Sequence, residues 1–591
     1  MCIFLFLLPR STDLDSWSAE SISLRVVPDA VEPPEIAAAT GHRLLRYLPG
    51  CCGYHAAKLS PIVQDMFDGE MRFLDRLYDK TAGYLYNFYY PLAAGPHETR
   101  SSVWFAVGLL QRNSGDDRTN AVKIINNVIA GQEKNVSAQW YGDYTVYPEQ
   151  PTVGSRSYDP VIYNSWDPNW RGFIGTALIV IYEEFGHLIG RDVQELIVES
   201  LYNNSIGDSY RVGGVDGDNL YPSYSNPSLM RAVVTGWSGR MCNDSNMTAA
   251  GEAYAQEIID LFNLNNTLSE FNVPTYYGVS LTALTLWAKY LPSSSVMAQN
   301  GPRMVADIWT AFGDFYNAQL QNLAGPWDRS YGYDMNKYVA IMSLHIWSLV
   351  GRQHVFGLGS VDTSEDPWLL THADDGEFVP LIAVLSDFHR SLVPASVIQS
   401  LTVFPGEHTV HRQAYTPPFD LDVRNISTWL SADLTIGADS YNQTVVGGAS
   451  QDSNSFSPAI VHWHRNATAQ QAASVGYFSL HPSQSSMQAR VGPGALNLTY
   501  PAGNASSSFT FVVASNPLGT KRDVTGLADI DGVSVSILSG STVNPVPEVA
   551  FCGLVGGTCS LIHNFEFWNL TFIMPANSTE LPQLNLHFDL V

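Results

Sequence analysis

Charge is scarce in this chain, and positive charge is scarcest. Only 15% of its 591 residues are charged; 31 Lys and Arg stand against 56 Asp and Glu, for a formal net charge of -25. No run of Lys or Arg occurs, which excludes the basic surface a nucleic-acid partner requires. Cysteine is sparse as well, with six residues: Cys2, Cys51, Cys52, Cys242, Cys552 and Cys559. None of their spacings resembles a zinc site. Cys552 and Cys559 bracket a Gly-rich stretch and are expected to close a hairpin disulfide, with Cys51 or Cys52 a candidate partner for Cys242; spacing alone leaves the connectivity open. Apolar runs all fall short of the roughly 18 residues a membrane span needs, so no span is expected. The run at Met1–Leu8 (MCIFLFLL) lacks a basic flank and a clear cleavage site, and residues 1–30 read as a leader resembling a truncated signal peptide. Absent too are a Lys-bearing phosphate loop, a dinucleotide-binding G-x-G-x-x-G and a G-x-S-x-G elbow. No cofactor is expected.

What is abundant is aromatic and apolar. There are 14 Trp, 29 Tyr and 26 Phe, and 45% of residues are hydrophobic. That composition excludes a disordered acidic chain and suffices for a large core. N-x-S/T occurs twelve times, at Asn135, Asn203, Asn243, Asn246, Asn265, Asn425, Asn442, Asn466, Asn497, Asn504, Asn569 and Asn577. So many sequons, spread over both halves, point to a secreted protein bearing N-linked glycans.

Two kinds of helix alternate from about 55 to 390. Amphipathic segments lie at 119–131, 191–203, 249–262 and 303–320. Between them lie segments apolar on nearly every side, at 103–110, 173–182, 279–291 and 339–350, and a further pair is expected in 366–391. A helix apolar all round is buried all round. The alternation predicts an outer and an inner ring of helices: an (α/α) toroid of five or six hairpins. Beyond 395 the helical period gives way to short alternating runs at 397–404, 430–436, 459–464, 475–480, 508–514, 533–538 and 565–573, broken by Gly, Pro, Asn and Ser. That pattern predicts an antiparallel β-sandwich. The expected division is a toroid over 31–392 and a β domain over 393–591.

The inner helices are preceded by polar and aromatic residues that a core does not require. They include His97; Trp166, Asp167, Asn169 and Arg171; Asn226; Tyr276 and Tyr277; and Arg329, Tyr331, Tyr333 and Asp334. In a toroid these helix starts converge on one mouth. There Trp and Tyr offer flat platforms to sugar rings, and Asn, Arg, Asp and His offer directed hydrogen bonds. The same residues also fit helix capping, and Pro168 and Pro227 suit helix starts. His345 reads as core; His462 and His464 share one strand face, with no third metal ligand in view. Two chemistries fit the mouth. One is β-elimination from a uronic acid, with a Tyr base and Asn, His or Arg neutralising the carboxylate. The other is hydrolysis by paired carboxylates.

The layout resembles polysaccharide lyases of the chondroitin, alginate, hyaluronan and heparin type, in which an incomplete α/α toroid precedes an antiparallel β domain. The resemblance spans about residues 55–591 and is one of architecture. The Asn-Trp-Trp element of the chondroitin/hyaluronan group is absent, and Asn169-Trp170-Arg171 is a loose echo of it. The resemblance implies a secreted lyase acting on an acidic polysaccharide, with Tyr331, Tyr333, Asn169, His97 and Asp334 as catalytic candidates. Arg171, Asn226, Tyr276, Tyr277, Trp166, Arg329 and Asp167 are then substrate-binding candidates. A glycoside hydrolase using Asp167 and Asp334 is the alternative, followed by an isomerase or cyclase of an apolar metabolite and a non-catalytic glycan-binding glycoprotein.

Overall fold

Ser60 starts the first helix: its hydroxyl accepts the Val63 N–H, and Pro61 occupies the first helical position, where its missing N–H costs nothing. The computed structural model describes residues 58–87, 97–329, 340–355, 373–444, 456–464, 475–514, 524–552 and 567–591. The expected leader, the Cys51/Cys52 and Cys559 pairings, and Tyr331, Tyr333 and Asp334 lie outside them.

Helix α1 (Pro61–Leu77) is followed by four hairpins among the described residues. They are α2 (Thr99–Arg112) with α3 (Asp117–Ala130), α4 (Trp170–Ile189) with α5 (Arg191–Ser209), α6 (Ser225–Met241) with α7 (Ser245–Phe262), and α8 (Pro274–Tyr290) with α9 (Val296–Phe315). Three further helices complete the region: α10 (Ala340–Val350), α11 (Val379–Leu392) and α12 (Ala395–Ser400). The first helix of each hairpin is the buried one. Helix α2 packs on α4, α4 on α6, α6 on α8, and α8 on α10 and α11; α11 packs back on α2, which closes the ring. The toroid expected from the alternation of helix types is thus present.

Two elements differ from the sequence reading. Helix α4 is long and apolar enough to cross a membrane by length and composition, although the apolar runs in the sequence appeared too short; 61% of its most apolar window is buried inside the protein. Helix α6 is weakly apolar because Gly236, Ser238 and Gly239 dilute it. The glycines instead permit a close crossing with α7. A Cβ on Gly251 would fall 2.4 Å from the Gly236 nitrogen, and one on Gly239 2.4 Å from the Thr248 nitrogen.

Short strands edge the ring: β1 (Tyr78–Asp79), β2 (Tyr84–Tyr86) and β3 (His97–Glu98) form one sheet, and β4 (Tyr316–Asn317) pairs with β5 (Asn322–Leu323). The run at 397–404, expected to be a strand, is instead mostly α12 and a turn. Pro394 precedes the helix, and so short an apolar run has no period of its own.

The β part holds β6 (His408–Ala414), β7 (Arg424–Leu430), β8 (Leu434–Asn442), β9 (Ala459–His464), β10 (Val475–Pro482), β11 (Ser486–Gly492) and β12 (Ala495–Thr499). It continues with β13 (Ser508–Ala514), β14 (Val533–Ile537), β15 (Glu548–Cys552), β16 (Phe567–Ile573) and β17 (Gln583–Leu590). All pairings are antiparallel. The order is β14-β17-β12-β11-β8-β9-β10-β13-β16-β15, with β6 and β7 branching from β8. The β8–β11 join is only two residue pairs, Ser486 with Asn442 and Met487 with Tyr441. The sheet therefore folds over there like a sandwich. Leu496, Leu584, Leu586 and Phe588 from one side meet Phe478, Phe509, Phe511 and Phe572 from the other. Val410, Ala414, Ile426, Leu430, Ile460, Tyr477 and Val512 belong to the helical core, so the apolar interior runs unbroken from ring to strands.

Candidate functional site

The starts of α2, α4, α6 and α8 are linked to one another by side chains. The Trp170 indole N–H donates to the Thr99 hydroxyl at 3.1 Å. The Arg100 guanidinium lies over the rings of Trp170 (4.7 Å) and Trp104 (5.0 Å). The Asn169 amide donates to the Tyr224 hydroxyl at 3.3 Å. The Ser225 N–H donates to the Glu270 carboxylate at 2.8 Å. The Arg329 guanidinium lies 5.9 Å from the centre of the Tyr276 ring. The described residues of the polar-aromatic segments, as far as Arg329, thus form a continuous arc.

Local sequence sets the position of Asn169. The Asp167 carboxylate accepts the Asn169 N–H at 2.9 Å, an Asx turn that begins α4. Arg211 then donates to the Asn169 side-chain oxygen at 3.2 Å and to the Pro168 carbonyl at 3.4 Å, while paired with Asp218 at 2.8 Å. With its oxygen held, the amide presents its NH2 group towards Tyr224. Tyr163, in the left-handed region at φ 60°, anchors the same loops through its hydroxyl to Asp218 and Asn219.

The electrostatics favour neutral acids. Burial pushes the Glu270 carboxyl up to about 8, opposed by Arg329 and the Ser225 N–H. Burial likewise raises the Tyr224 phenol well above its ordinary value, reinforced by Tyr276, Glu270 and Asp167 and opposed by Arg329. Asp167 is raised by burial, against the Asn169 N–H and the charges of Arg211 and Arg100. At neutral pH the arc therefore holds a protonated carboxyl and a neutral phenol beside a guanidinium. That set can donate protons and bind an anion.

The β part supplies one wall. Arg424, fully buried on β7, donates to both Asp328 oxygens, to Asp420 and Asp439 at 3.0 Å each, and to the Ser269 carbonyl at 2.7 Å. Asp328 in turn accepts the Phe271 N–H at 2.8 Å. Glu270 and Arg329 are the chain neighbours of the groups so held. The Ser223 hydroxyl also donates to the Pro417 carbonyl at 2.6 Å, and Tyr221 meets Phe419 edge-on at 5.4 Å.

The residues expected from sequence are placed unevenly. Asn169, Asp167, Tyr276 and Arg329 share the arc, and Asn226 lies buried in the first turn of α6. His97 is buried between carboxylates, 2.5 Å from Glu149 and 3.6 Å from Asp79, and is stacked on Tyr86. Three residues lie in the core. Trp166 packs between Trp140 and Arg171. Arg171 is 0% exposed and donates to the Gln139 and Tyr141 carbonyls; its place in the first turn of α4 turns it into the ring wall. Tyr277 is also buried, its hydroxyl accepting the Asn272 N–H. Arg211, Glu270 and Arg424 give no sequence signal, because each acts through partners tens of residues or more away; Tyr224 is legible only as part of the polar-aromatic segment that opens α6. Among the described residues, no three His, Cys, Asp or Glu side chains are arranged to hold a metal ion.

Comparison with known proteins gives likenesses of structure. The chondroitin AC lyase of Streptomyces coelicolor A3, solved in complex with chondroitin sulphate, is 11% identical with a TM-score of 0.40, over 91% of this chain and 80% of that one. Heparinase III is 9% identical with a TM-score of 0.42, over 90% and 85%. No curated protein matches the sequence. A second family, described as a domain of unknown function (DUF8770), matches residues 406–589. Across residues 64–387, more than half its length, the chain belongs to the family described as a domain of unknown function (DUF8769).

Proposed function

We propose that the chain is a secreted enzyme that cleaves a uronic-acid-containing polysaccharide by β-elimination at the arc of helix starts. The observation that carries this reading is the Asn169 amide, oriented by Arg211 and donating to the Tyr224 hydroxyl, in the field of Arg329. A uronate carboxylate seated against Asn169 and Arg329 would lose much of its charge, which makes the adjacent C5 proton acidic. A tyrosinate removes that proton; Tyr276, Tyr331 and Tyr333 are the candidates. The C4–oxygen bond breaks, and Tyr224, whose raised phenol favours holding its proton, donates to the leaving oxygen. His97 and Asp334 are assigned supporting roles in the reaction, and Asp167 sets the turn that presents Asn169. The test is ultraviolet absorbance of the unsaturated product over a panel of uronans. A rise that Tyr224→Phe lowers by about 100-fold or more, the ordinary contribution of a positioned acid, is expected. Silence on every uronan refutes the reading.

One observation favours hydrolysis as a second reading. Burial favours the protonated form of Glu270 at neutral pH, as a general acid must, and the charges of both Glu270 and Asp167 act on Tyr224. Reducing ends released without the unsaturated product, and abolished by Glu270→Gln, would establish it.

A further inference from the structure

On the seam between ring and strands lies an open groove of about 410 Å³ lined by Asn265, His411, Arg412, Gln413, Asn425, Ile426 and Ser427. Two of its walls are sequon asparagines from distant parts of the chain: Asn265-Asn266-Thr267 after α7, and Asn425-Ile426-Ser427 on β7. We propose that both asparagines carry N-linked glycans and that the inner sugars lie together in this groove. The proposal rests on the reading that the chain is secreted.

Asn425 is exposed; its side-chain oxygen accepts from Gln413 at 2.9 Å, and its nitrogen, the atom a glycan would take, donates only a long bond to the Val423 carbonyl at 3.4 Å. The neighbouring cross-strand pair is His411 and Ser427, joined at 2.9 Å. The face between the two sequons is thus mostly hydrogen-bonding, with Ile426 its one apolar lining residue, a mixture that suits a sugar bed. Attachment forms a bond from the asparagine nitrogen, which loses a proton, to the anomeric carbon of an oligosaccharide. The bond from that carbon to a lipid-borne diphosphate breaks, and the diphosphate leaves with the electron pair.

A placement of this kind does physical work for the fold. Strand β6 pairs only with β7 among the described residues, so its other side is an open edge. Thr267 already reaches it, donating to the Gln413 carbonyl at 2.7 Å. Asp314 at the end of α9 meets His408 and Arg412 of the same strand, and sugars on Asn265 and Asn425 would add to that cover. The sequon at Asn569 stands in contrast: it is buried in β16 between β13 and β15, where a glycan has no room.

The test is glycopeptide mass spectrometry of the full chain secreted from a eukaryotic host, followed by timed release of each glycan from the native protein by an endoglycosidase. Occupancy is expected at Asn265 and Asn425, with release several-fold slower than at the exposed Asn504 and Asn577. In Asn425→Gln, release at Asn265 should accelerate. Glycans at Asn504 or Asn577 with Asn265 or Asn425 bare, or release at equal rates, overturn the groove proposal alone. A secreted chain bare at every sequon overturns it together with the glycoprotein reading.

Discussion

Arg171 and Arg424 are both sealed from solvent, yet their circumstances are opposite. Arg424 spends its donors on three carboxylates, a carbonyl and the Thr416 hydroxyl, and it joins the β part to the ring. Arg171 donates one nitrogen to two carbonyls. Its other two nitrogens have no hydrogen-bond partner, and Asp208 stands 3.6 Å away. A buried ion pair stabilises only when geometry and hydrogen bonds offset desolvation. The difference teaches that the seam between the two parts, more than the wall of the ring, depends on a single guanidinium.

Four measurements break or sharpen that comparison. Arg424→Ala leaves Asp328, Asp420 and Asp439 buried against one another, and calorimetry should show a loss of about 3–5 kcal/mol. A loss as small as that of an exposed pair would show that the seam holds without its ion cluster. Arg171→Met removes a half-satisfied donor set and fills the same space, so about 1–3 kcal/mol is expected, measured by urea unfolding. An equal or larger loss than at Arg424 would reverse the comparison.

The third measurement concerns pH. Burial pushes Glu70 up to about 8, against the Arg76 charge, and Asp143 up to about 8 despite Arg171. A carboxyl whose folded value lies above its unfolded value binds protons more tightly when folded. Its contribution is present at low pH and is lost as pH rises from about 4.5 towards 8. His345, pushed down to about 4 by burial, and His389, lowered likewise, act with the opposite sign and only below about 6.5. The window from 6.5 to 8 therefore isolates the carboxyls. There Glu70→Gln should flatten the fall in stability by up to about 1.4 kcal/mol per pH unit. An unchanged slope would show that Glu70 titrates normally. The smallest effect is the control: Arg191, 74% exposed and paired with Glu195 one turn on, should cost about 0.5 kcal/mol or less as Arg191→Ala.

Much of the fold was legible because burial writes periods into sequence. Phe173–Tyr182 is apolar on all sides and becomes the middle of α4; the sparse, amphipathic 249–262 becomes the outer α7. Helix α6 was harder to read, since its glycines serve contact with α7 and contribute no apolar signal. The 397–404 run was misread because a short apolar stretch fits either period. Of the candidate site, Asn169, Asp167, Tyr276 and Arg329 were legible as polar residues that no core needs. Arg171 and Tyr277 looked the same on paper, and only their positions in the first turn separate a wall residue from a mouth residue.

By itself, then, the sequence determined that the chain alternates inner and outer helices, that strands follow, and that polar-aromatic segments precede the inner helices. Those are properties of local period and composition, which hold whatever the chain later packs against. Tertiary structure alone decided that Arg211 holds the Asn169 oxygen, that Glu270 faces Ser225 and Arg329, and that Arg424 ties Asp328 to the strands. Each of these joins groups up to 96 residues apart. Charge and hydrogen bonding act over a few ångströms of space, and only the closed ring brings such groups within that range.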